Sequence, residues 1–161
     1  MKTLLVAVCG LQVEGKIPLI KFKRNYLRGY WGVPGGKFDE GEFLPQAAAR
    51  EIKEELGIDV RYERFHGIVD ELAIVDGETV RCVLFVNSVV ATGSVSMERQ
   101  DTDEGVIEWF SLEQIKGMED EIVPSDYRII HELLFGGESG YWRCQQTIEN
   151  GVPTLDFFER Q

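Results

Sequence analysis

The sequence predicts an α/β protein in which one long helix packs against a mixed β-sheet. The helix is indicated by residues 45–56, which are strong helix formers that begin with a proline and are followed by Gly57. The sheet is indicated by apolar or alternating runs at residues 3–10, 59–70 and 79–90, and Asp76-Gly77 predicts a hairpin between the last two runs. A long helix set among strands favours a layered fold, with the helix on one face of the sheet.

Length and composition are those of one compact domain. The chain has 161 residues, 43% hydrophobic and 11% aromatic, which is enough to bury a sizeable core. We expect a single domain over residues 1–161, with a core to about residue 118 and an extension over about residues 119–161. The net charge of −11 argues against nucleic-acid binding, which requires a basic patch, but not against a polyphosphate substrate, because a bound metal inverts the local field.

The N-terminal segment predicts two strands. Residues 3–10 form an apolar run, Glu14-Gly15 is a turn signal, and residues 17–23 are expected to pair back on the first strand. The first apolar run is too short to span a bilayer and no cleavable signal is present, so we expect a cytoplasmic protein without membrane contact.

A basic group follows the second predicted strand. Its members are Lys21, Lys23, Arg24 and Arg28. Lysine and arginine just upstream of an acidic site are candidates for binding phosphate oxygens, and we favour Arg24 and Arg28. The alternative is that these residues are solvated charges at a strand edge.

The predicted helix follows a glycine-rich loop, residues 29–37, in which Trp31 is expected to pack into the core rather than stack on a base. Glu51, Glu54 and Glu55 stand at positions i, i+3 and i+4 and therefore project from one face of the helix. The apolar stripe that can anchor this helix consists of Ala47, Ala48, Ile52 and Leu56. Clustered carboxylates are what a hard cation such as Mg²⁺ requires, although for an isolated acidic helix a solvated face is the alternative.

Residues 36–58 resemble the Nudix box of the MutT/Nudix hydrolases. That pattern is Gly, five residues, Glu, seven residues and then Arg-Glu-U-x-Glu-Glu-x-Gly-U, where U is a bulky aliphatic residue. The matching positions are Gly36, Glu42, Arg50, Glu51, Ile52, Glu54, Glu55, Gly57 and Ile58. No defined position departs from the pattern, so the match is specific. The resemblance implies a Nudix-type α/β/α sandwich with a mixed sheet and a pyrophosphohydrolase that uses Mg²⁺, with Mn²⁺ as the alternative.

The resemblance also implies roles for individual residues. Glu51, Glu54 and Glu55, with the backbone carbonyl of Gly35, are expected to hold the metal. Another acid commonly lies on a loop before a strand that begins like Trp109-Phe110. Glu104 is the first candidate for this acid and Asp103 the second, whereas the role of Glu108 stays open.

Further roles concern the proton, the loop and the substrate. Glu51 and Glu104 are the candidates for the group that takes a proton from the attacking water. Arg50 is expected to orient a box glutamate, and Glu42 to tie the loop to the helix. The candidate substrate-binding residues are Arg24, Arg28, Lys37 and Asp126, and the motif residues with structural roles are Gly36, Glu42 and Gly57.

The C-terminal part predicts two helices and a hairpin. Residues 111–116 form a short helix with Ser111 as N-cap, and residues 127–135 form a second helix that Ser125 or Asp126 can cap. The alternative for Asp126 is contact with the nucleobase. Asn150-Gly151 predicts a hairpin that either extends the sheet or pairs with a second subunit in a homodimer.

The other reactive residue types receive no functional role. Cys9 and Cys82 lie in apolar runs and are expected in the core. The odd, widely spaced set of three cysteines lacks the pattern of a zinc site. We expect a structural position for His66 and a surface helix for His131.

The size of the chain and its loop resemble the MutT-type group most. We therefore expect hydrolysis of a (deoxy)nucleoside triphosphate, oxidised ones included, to monophosphate and pyrophosphate. The first alternative is hydrolysis of ADP-ribose or a nucleotide sugar, although the residues after the box lack the proline that marks ADP-ribose hydrolases. The second alternative is a nucleotide-binding module without turnover.

Overall fold

The computed structural model describes all of residues 1–161 and has mixed α/β structure. The strands are β1 Lys2–Leu11, β2 Lys16–Phe22, β3 Trp31–Gly32, β4 Gly35–Lys37, β5 Val60–Val75, β6 Glu78–Ala91, β7 Gln100–Asp101, β8 Gly105–Ser111, β9 Gly140–Glu149 and β10 Val152–Arg160. The helices are α1 Leu44–Leu56, α2 Leu112–Lys116 and α3 Pro124–Arg128, together with a 3₁₀ turn at Glu119–Glu121 and a π-helix at Ile129–Leu134.

The strands form two sheets. The six-stranded sheet has the order β10-β9-β5-β6-β1-β4 and is mixed, because β1 pairs with β6 and β5 pairs with β9 in parallel while its other pairs are antiparallel. The four-stranded sheet has the order β3-β2-β8-β7 and is antiparallel throughout. The predicted α/β fold with a mixed sheet is confirmed.

The predicted pairing of β2 with β1 is wrong. Only an isolated bridge between Val13 and Lys16 joins the turn between them. The two edges of β1 are taken by β6 and β4, and β2 pairs with β8 from Lys16 to Phe22. The predicted turn at Glu14-Gly15 is present, but it connects β1 of the six-stranded sheet to β2 of the four-stranded sheet.

Helix α1 packs on the six-stranded sheet as its apolar stripe predicts. Its buried residues are Ala47, Ala48, Ile52 and Leu56, which share a core cluster with Ala7 and Cys9 of β1. The helix ends at Gly57, whose φ of 72° is left-handed and whose N–H donates to the carbonyl oxygen of Lys53. Because that conformation suits glycine, Gly57 ends the helix as predicted.

The hairpin predictions are confirmed and the cap predictions only in part. Asp76-Gly77 joins β5 to β6, and Asn150-Gly151 joins β9 to β10, with positive φ at all four residues. The second hairpin extends the six-stranded sheet through β9, whereas its pairing with a second subunit stays a prediction. Ser111 caps α2, where its hydroxyl accepts from the N–H of Gln114.

The predicted caps of α3 are wrong. The helix begins at Pro124, with Val123 as an N-cap that makes no side-chain bond. Proline suits the first helical position because it has no N–H to satisfy. Ser125 and Asp126 therefore lie inside the first turn, and their side chains bond elsewhere. No helix of the structure is long and apolar enough to cross a membrane.

Candidate active site

Arg50 connects helix α1 to the loop before it. Its guanidinium donates to both carboxylate oxygens of Glu42, from Nε over 2.7 Å and from Nη2 over 2.8 Å. Nη1 donates to Glu51 over 2.9 Å and to Glu54 over 3.2 Å, and Nη2 also donates to the carbonyl oxygen of Lys37 over 2.9 Å. A planar guanidinium fork fixes carboxylates in orientation as well as in position. One side chain thus holds the loop and two glutamates of the helix.

The pKa shifts in this group follow from these contacts. The hydrogen bonds from Arg50 lower the pKa of Glu42, and Glu42 in turn raises the pKa of Arg50. Glu51 behaves differently, because burial raises its pKa while Arg50 lowers it, and the net direction is upward. Arg50 contacts two carboxylates on the helix, those of Glu51 and Glu54. Of these two, Glu51 is the more desolvated.

Glu55 is bound to the glycine-rich loop by a backbone donor. The N–H of Gly35 donates to Oε1 of Glu55 over 2.9 Å. The pKa of Glu55 is raised to about 8, mainly by burial, and the neighbouring charges of Glu51, Glu104 and Glu54 act in the same direction. Several acids are thus close enough to oppose one another's ionisation.

Two glycines allow the loop to approach the helix and β1. A Cβ atom on Gly36 would lie 2.4 Å from the carboxyl carbon of Glu51. A Cβ atom on Gly35 would lie 1.9 Å from the carbonyl oxygen of Ala7, and Gly35 has a φ of 156°. Both positions therefore exclude a side chain, and the loop can contact the glutamates directly.

A cavity of about 250 Å³ opens beside these glutamates. Its lining consists of Ile20, Phe22, Arg24, Asn25, Gly35, Glu55 and Glu104. Arg24 comes from the segment after β2, Gly35 from the glycine loop, Glu55 from α1 and Glu104 from the turn before β8. Four separate segments thus bring an arginine and two carboxyl groups to one opening.

The donor set fits a hard divalent cation. Carboxylate oxygens are the ligands that Mg²⁺ prefers, and a cation would relieve the mutual repulsion that raises the pKa of Glu55. As the side chains stand, no three histidine, cysteine or acidic side chains surround a common point. Glu51 and Glu54 are bonded to Arg50 in this arrangement, and Glu55 to the loop.

Three of the predicted substrate-binding residues lie outside the cavity lining, namely Arg28, Lys37 and Asp126. Arg28 has an exposed side chain, and its N–H donates to the carbonyl oxygen of Asn25 over 3.4 Å. Lys37 is exposed in β4, and the group it gives to the site is its carbonyl oxygen, which binds Arg50. Asn25 lines the cavity although the sequence carried no signal for it.

Asp126 lies at the other end of the glycine loop. Its Oδ2 accepts from the N–H of Val33 over 2.9 Å. A Cβ atom on Gly32 would lie 2.7 Å both from this oxygen and from the ring of Phe22, which also lines the cavity. Burial raises the pKa of Asp126 to about 7. Phe22, which lines the cavity, and the Asp126 carboxyl thus both lie beside Gly32.

A buried polar cluster adjoins Asp126. Glu71 is 5% exposed and accepts from the thiol of Cys144 over 3.7 Å, and burial raises its pKa. The pKa of Tyr26 is also raised, first by burial and then by the charges of Cys82, Glu71 and Asp126. Side chains alternate between the two faces of β5, so Glu71 lies on the same face as the buried Val69. The period-two pattern of the sequence therefore carried a signal for the burial of Glu71.

Comparison with known proteins gives consistent relationships. A family model described as the NUDIX domain matches residues 1–133. The uncharacterized Nudix hydrolase YvcI of Bacillus subtilis is 28% identical over 131 residues, which are 81% of this chain and 79% of that protein. The ADP-ribose pyrophosphatase of Methanocaldococcus jannaschii is 41% identical over 64 residues, which are 39% of this chain and 38% of that protein. The crystal structure of the MutT protein of Bacillus halodurans superposes with a TM-score of 0.72 at 27% identity, covering 95% of this chain and 97% of that one.

Proposed function

The chain belongs to the Nudix hydrolase family and is a pyrophosphohydrolase, and on that basis we propose that it hydrolyses a (deoxy)nucleoside triphosphate, oxidised triphosphates included, to the monophosphate and pyrophosphate. The observation that carries the proposal is the meeting of Arg24, Glu55, Glu104 and Gly35 around one cavity. An opening lined by both a cationic side chain and carboxyl groups suits a polyphosphate that arrives with a divalent metal. Similarity to a MutT protein over nearly the whole chain supports the triphosphate as substrate.

The residues that would hold the metal are Glu51, Glu54, Glu55 and Glu104, with the backbone carbonyl of Gly35. When bound, Mg²⁺ or Mn²⁺ supplies neutralisation of the phosphate charge and lowers the pKa of a water molecule. Arg50 keeps Glu51 and Glu54 on one side of the helix before the cation arrives. In this role Arg50 positions the ligands and does not itself contact the phosphate.

The proton of the attacking water requires an acceptor in the same cavity. Glu104 lines the cavity, whereas Glu51 lies behind the glycine loop, against Gly36. Of the two candidates, Glu104 therefore has the more open approach to a water molecule in the cavity. Arg24, which also lines the cavity, is proposed to bind phosphate oxygens and to stabilise the charge that develops on them.

Asp126 is proposed as the residue that contacts the nucleobase. Its carboxyl contacts the glycine loop at Val33 and lies beside Gly32, which Phe22 of the cavity lining also approaches. With one oxygen bonded to Val33, the other is free to accept from an N–H group of a base. Arg28 and Lys37 stay candidates for contact with the outer phosphate, which extends beyond the cavity.

ADP-ribose or a nucleotide sugar is the second candidate substrate. Similarity to an ADP-ribose pyrophosphatase over 64 residues favours it. The same carboxylates would serve either substrate, since both contain a diphosphate bond. A nucleotide-binding module without turnover is a third candidate, which the complete set of box glutamates disfavours.

The experiment is a substrate panel with Mg²⁺. Release of phosphate, pyrophosphate and nucleoside monophosphate is followed for nucleoside triphosphates, oxidised triphosphates, ADP-ribose and nucleotide sugars. We expect pyrophosphate and a monophosphate from a triphosphate. Preference for ADP-ribose or a sugar nucleotide would overturn the proposed substrate but not the hydrolysis of a diphosphate bond. Binding without turnover of any compound would support the binding module.

A further inference from the structure

Glu104 lies in a short turn at the edge of the four-stranded sheet. The turn joins β7 to β8, and β7 has only two residues, paired at Gln100 with Ile107 and at Asp101 with Val106. Within the turn, the N–H and hydroxyl of Thr102 each donate to the carbonyl oxygen of Gly105 over 2.9 Å. A two-residue edge strand contributes few ladder hydrogen bonds, so the β7 side of the turn depends on contacts from outside the sheet, whereas the β8 side is paired with β2.

Lys23, the residue that follows β2, supplies these contacts. Its backbone N–H donates to the carbonyl oxygen of Glu104 over 3.1 Å. Its ammonium group donates to the carboxylate of Asp101 and, over 2.8 Å, to the carbonyl oxygen of Thr102. Lys23 thus binds the chain on both sides of Asp103 and at Glu104 itself.

The contact is possible because the turn lies against β2. Phe22 pairs with Gly105, and a Cβ atom on Gly105 would lie 2.4 Å from the carbonyl oxygen of Lys21. The residue after Lys23 is Arg24, which lines the cavity together with Glu104. Lys23 therefore lies at the junction of the two segments that bring Arg24 and Glu104 to the same opening.

We propose that Lys23 is a positioning residue, whose ammonium group fixes the Thr102–Gly105 turn and so holds Glu104 at the cavity for catalysis. This inference rests on the proposed function, because it assumes that Glu104 binds metal or accepts a proton. It assigns Lys23 to the turn instead of the substrate, although the sequence alone placed it among the candidate phosphate-binding residues. Each of the three contacts would be lost or loosened if the turn moved away from β2.

The inference predicts an effect on turnover that exceeds the effect on folding. The side chains of Lys23 and Asp101 are 41% and 55% exposed, and ion pairs at such positions contribute little to folding stability. A catalytic group, in contrast, loses much of its effect when it is displaced by about 1 Å. Loss of the ammonium group should therefore lower kcat while the thermal midpoint and KM stay close to those of the parent.

A double-mutant cycle tests the proposal. Lys23→Met keeps most of the aliphatic stem and removes the three N–H donors, Lys23→Arg keeps a cation, and Glu104→Gln removes the acid. Each variant, and the Lys23→Met/Glu104→Gln double variant, is assayed for kcat and KM with Mg²⁺ and the preferred substrate of the panel. Lys16→Met, at the opposite end of β2, is the matched control.

We expect Lys23→Met to lower kcat about tenfold and to change KM by less than about twofold, with most of kcat restored in Lys23→Arg. In the Glu104→Gln background, Lys23→Met should cause no further loss, because the group that it positions is absent. Two results would overturn the inference and leave the proposed function intact. One is an equal loss of kcat when Lys23→Met is introduced into the parent and into Glu104→Gln. The other is a parental kcat in Lys23→Met while Glu104→Gln is impaired. Parental kcat in Glu104→Gln would overturn both the role of Glu104 and that of Lys23, while the assignment as a hydrolase would still rest on the substrate panel.

Discussion

Gly36 and Glu51 lie so close together that no side chain fits between them. A Cβ atom built on Gly36 would be 2.4 Å from the Glu51 carboxyl carbon and within 2.5 Å of both its oxygens. Glu51 in turn accepts from Arg50, which also binds Glu42 and Glu54. Gly36, the first residue of the box, and Glu51, in the box helix, are thus in direct contact. This contact explains in physical terms why the motif needs glycine at position 36.

Gly36→Ala should reduce kcat strongly. The added methyl group must displace the Glu51 carboxylate and disturb its bond to Arg50, so we expect a loss of about a hundredfold, since shifts of about 1 Å cost that much at catalytic sites. Steady-state kinetics with Mg²⁺ measure the effect. Gly93→Ala is the matched control, because a Cβ atom there meets nothing within 4 Å. Parental kcat in Gly36→Ala would show that Glu51 has no essential position.

Arg50→Lys should impair the enzyme although the charge is kept. Lysine has no planar fork, so it cannot bind Glu42 through two nitrogens while also contacting Glu51 and the Lys37 carbonyl oxygen. We expect kcat to fall at least about tenfold and the affinity for Mg²⁺ to weaken, as for other residues that orient metal ligands. Titration of activity with Mg²⁺ measures both, and Arg61→Lys, at an exposed position, serves as control. Equal activity of the lysine variant would mean that charge alone suffices.

Asp126→Asn should change the choice of base more than the rate of cleavage. The carboxylate is an acceptor, and replacement of its second oxygen by an amide turns an acceptor into a donor. For the preferred base we expect kcat/KM to fall at least about tenfold, because mispaired polar groups in a site are costly, with a smaller effect on other bases. Competition between nucleotides measures the ratio. An equal effect on every base would assign Asp126 to holding the loop at Val33.

Folding stability should depend on the protonation of His66. The ring is 5% exposed and its Nε2 lies 3.0 Å from the Ser88 hydroxyl. Burial lowers its pKa below the ordinary 6.5, and the neighbouring Arg64 charge acts in the same direction, whereas Glu63 opposes it. Between the lowered pKa and 6.5 the unfolded chain binds more protons than the folded one, so stability rises with pH in this window. The contribution of His66 is complete above about pH 6.5 and is lost as the pH falls through the lowered pKa.

Urea unfolding at several pH values tests this dependence. The free energy of unfolding should fall more steeply between pH 7 and the acid range for the parent than for His66→Gln. Identical slopes for the parent and His66→Gln would contradict the assignment.

Local patterns predicted the parts of the fold that depend on neighbouring residues. The box helix, its stop at Gly57 and both hairpins with Asp-Gly and Asn-Gly turns follow from propensity and turn chemistry, which act over a few residues. The wrong pairing of β2 has a different origin. The choice between β1 and β8 as the partner of β2 depends on which edges the other strands occupy, and that information lies about 90 residues away along the chain.

The residues of the candidate site also fall into those that local sequence patterns predict and those that they do not. The box glutamates and Arg50 could be named from spacing, because they lie on one helix. Asn25 and Tyr26 could not be named, because a loop brings them to their positions, whereas the period-two pattern of β5 carried a signal for Glu71. The assignment of Lys23 to the Glu104 turn needed coordinates for the same reason, since one residue lies just after β2 and the other just before β8, far apart in the sequence.

The most direct test of the account is hydrolysis of the preferred nucleotide by Glu54→Gln with Mg²⁺. Glu54 is 59% exposed and bonds only to Arg50, so its replacement should leave the fold intact while it removes a proposed metal ligand. Glu113→Gln, an exposed acid on α2, is the matched control. The account predicts that kcat falls at least about a hundredfold in Glu54→Gln and stays parental in Glu113→Gln. Parental turnover in Glu54→Gln, with an unchanged requirement for Mg²⁺, would contradict it.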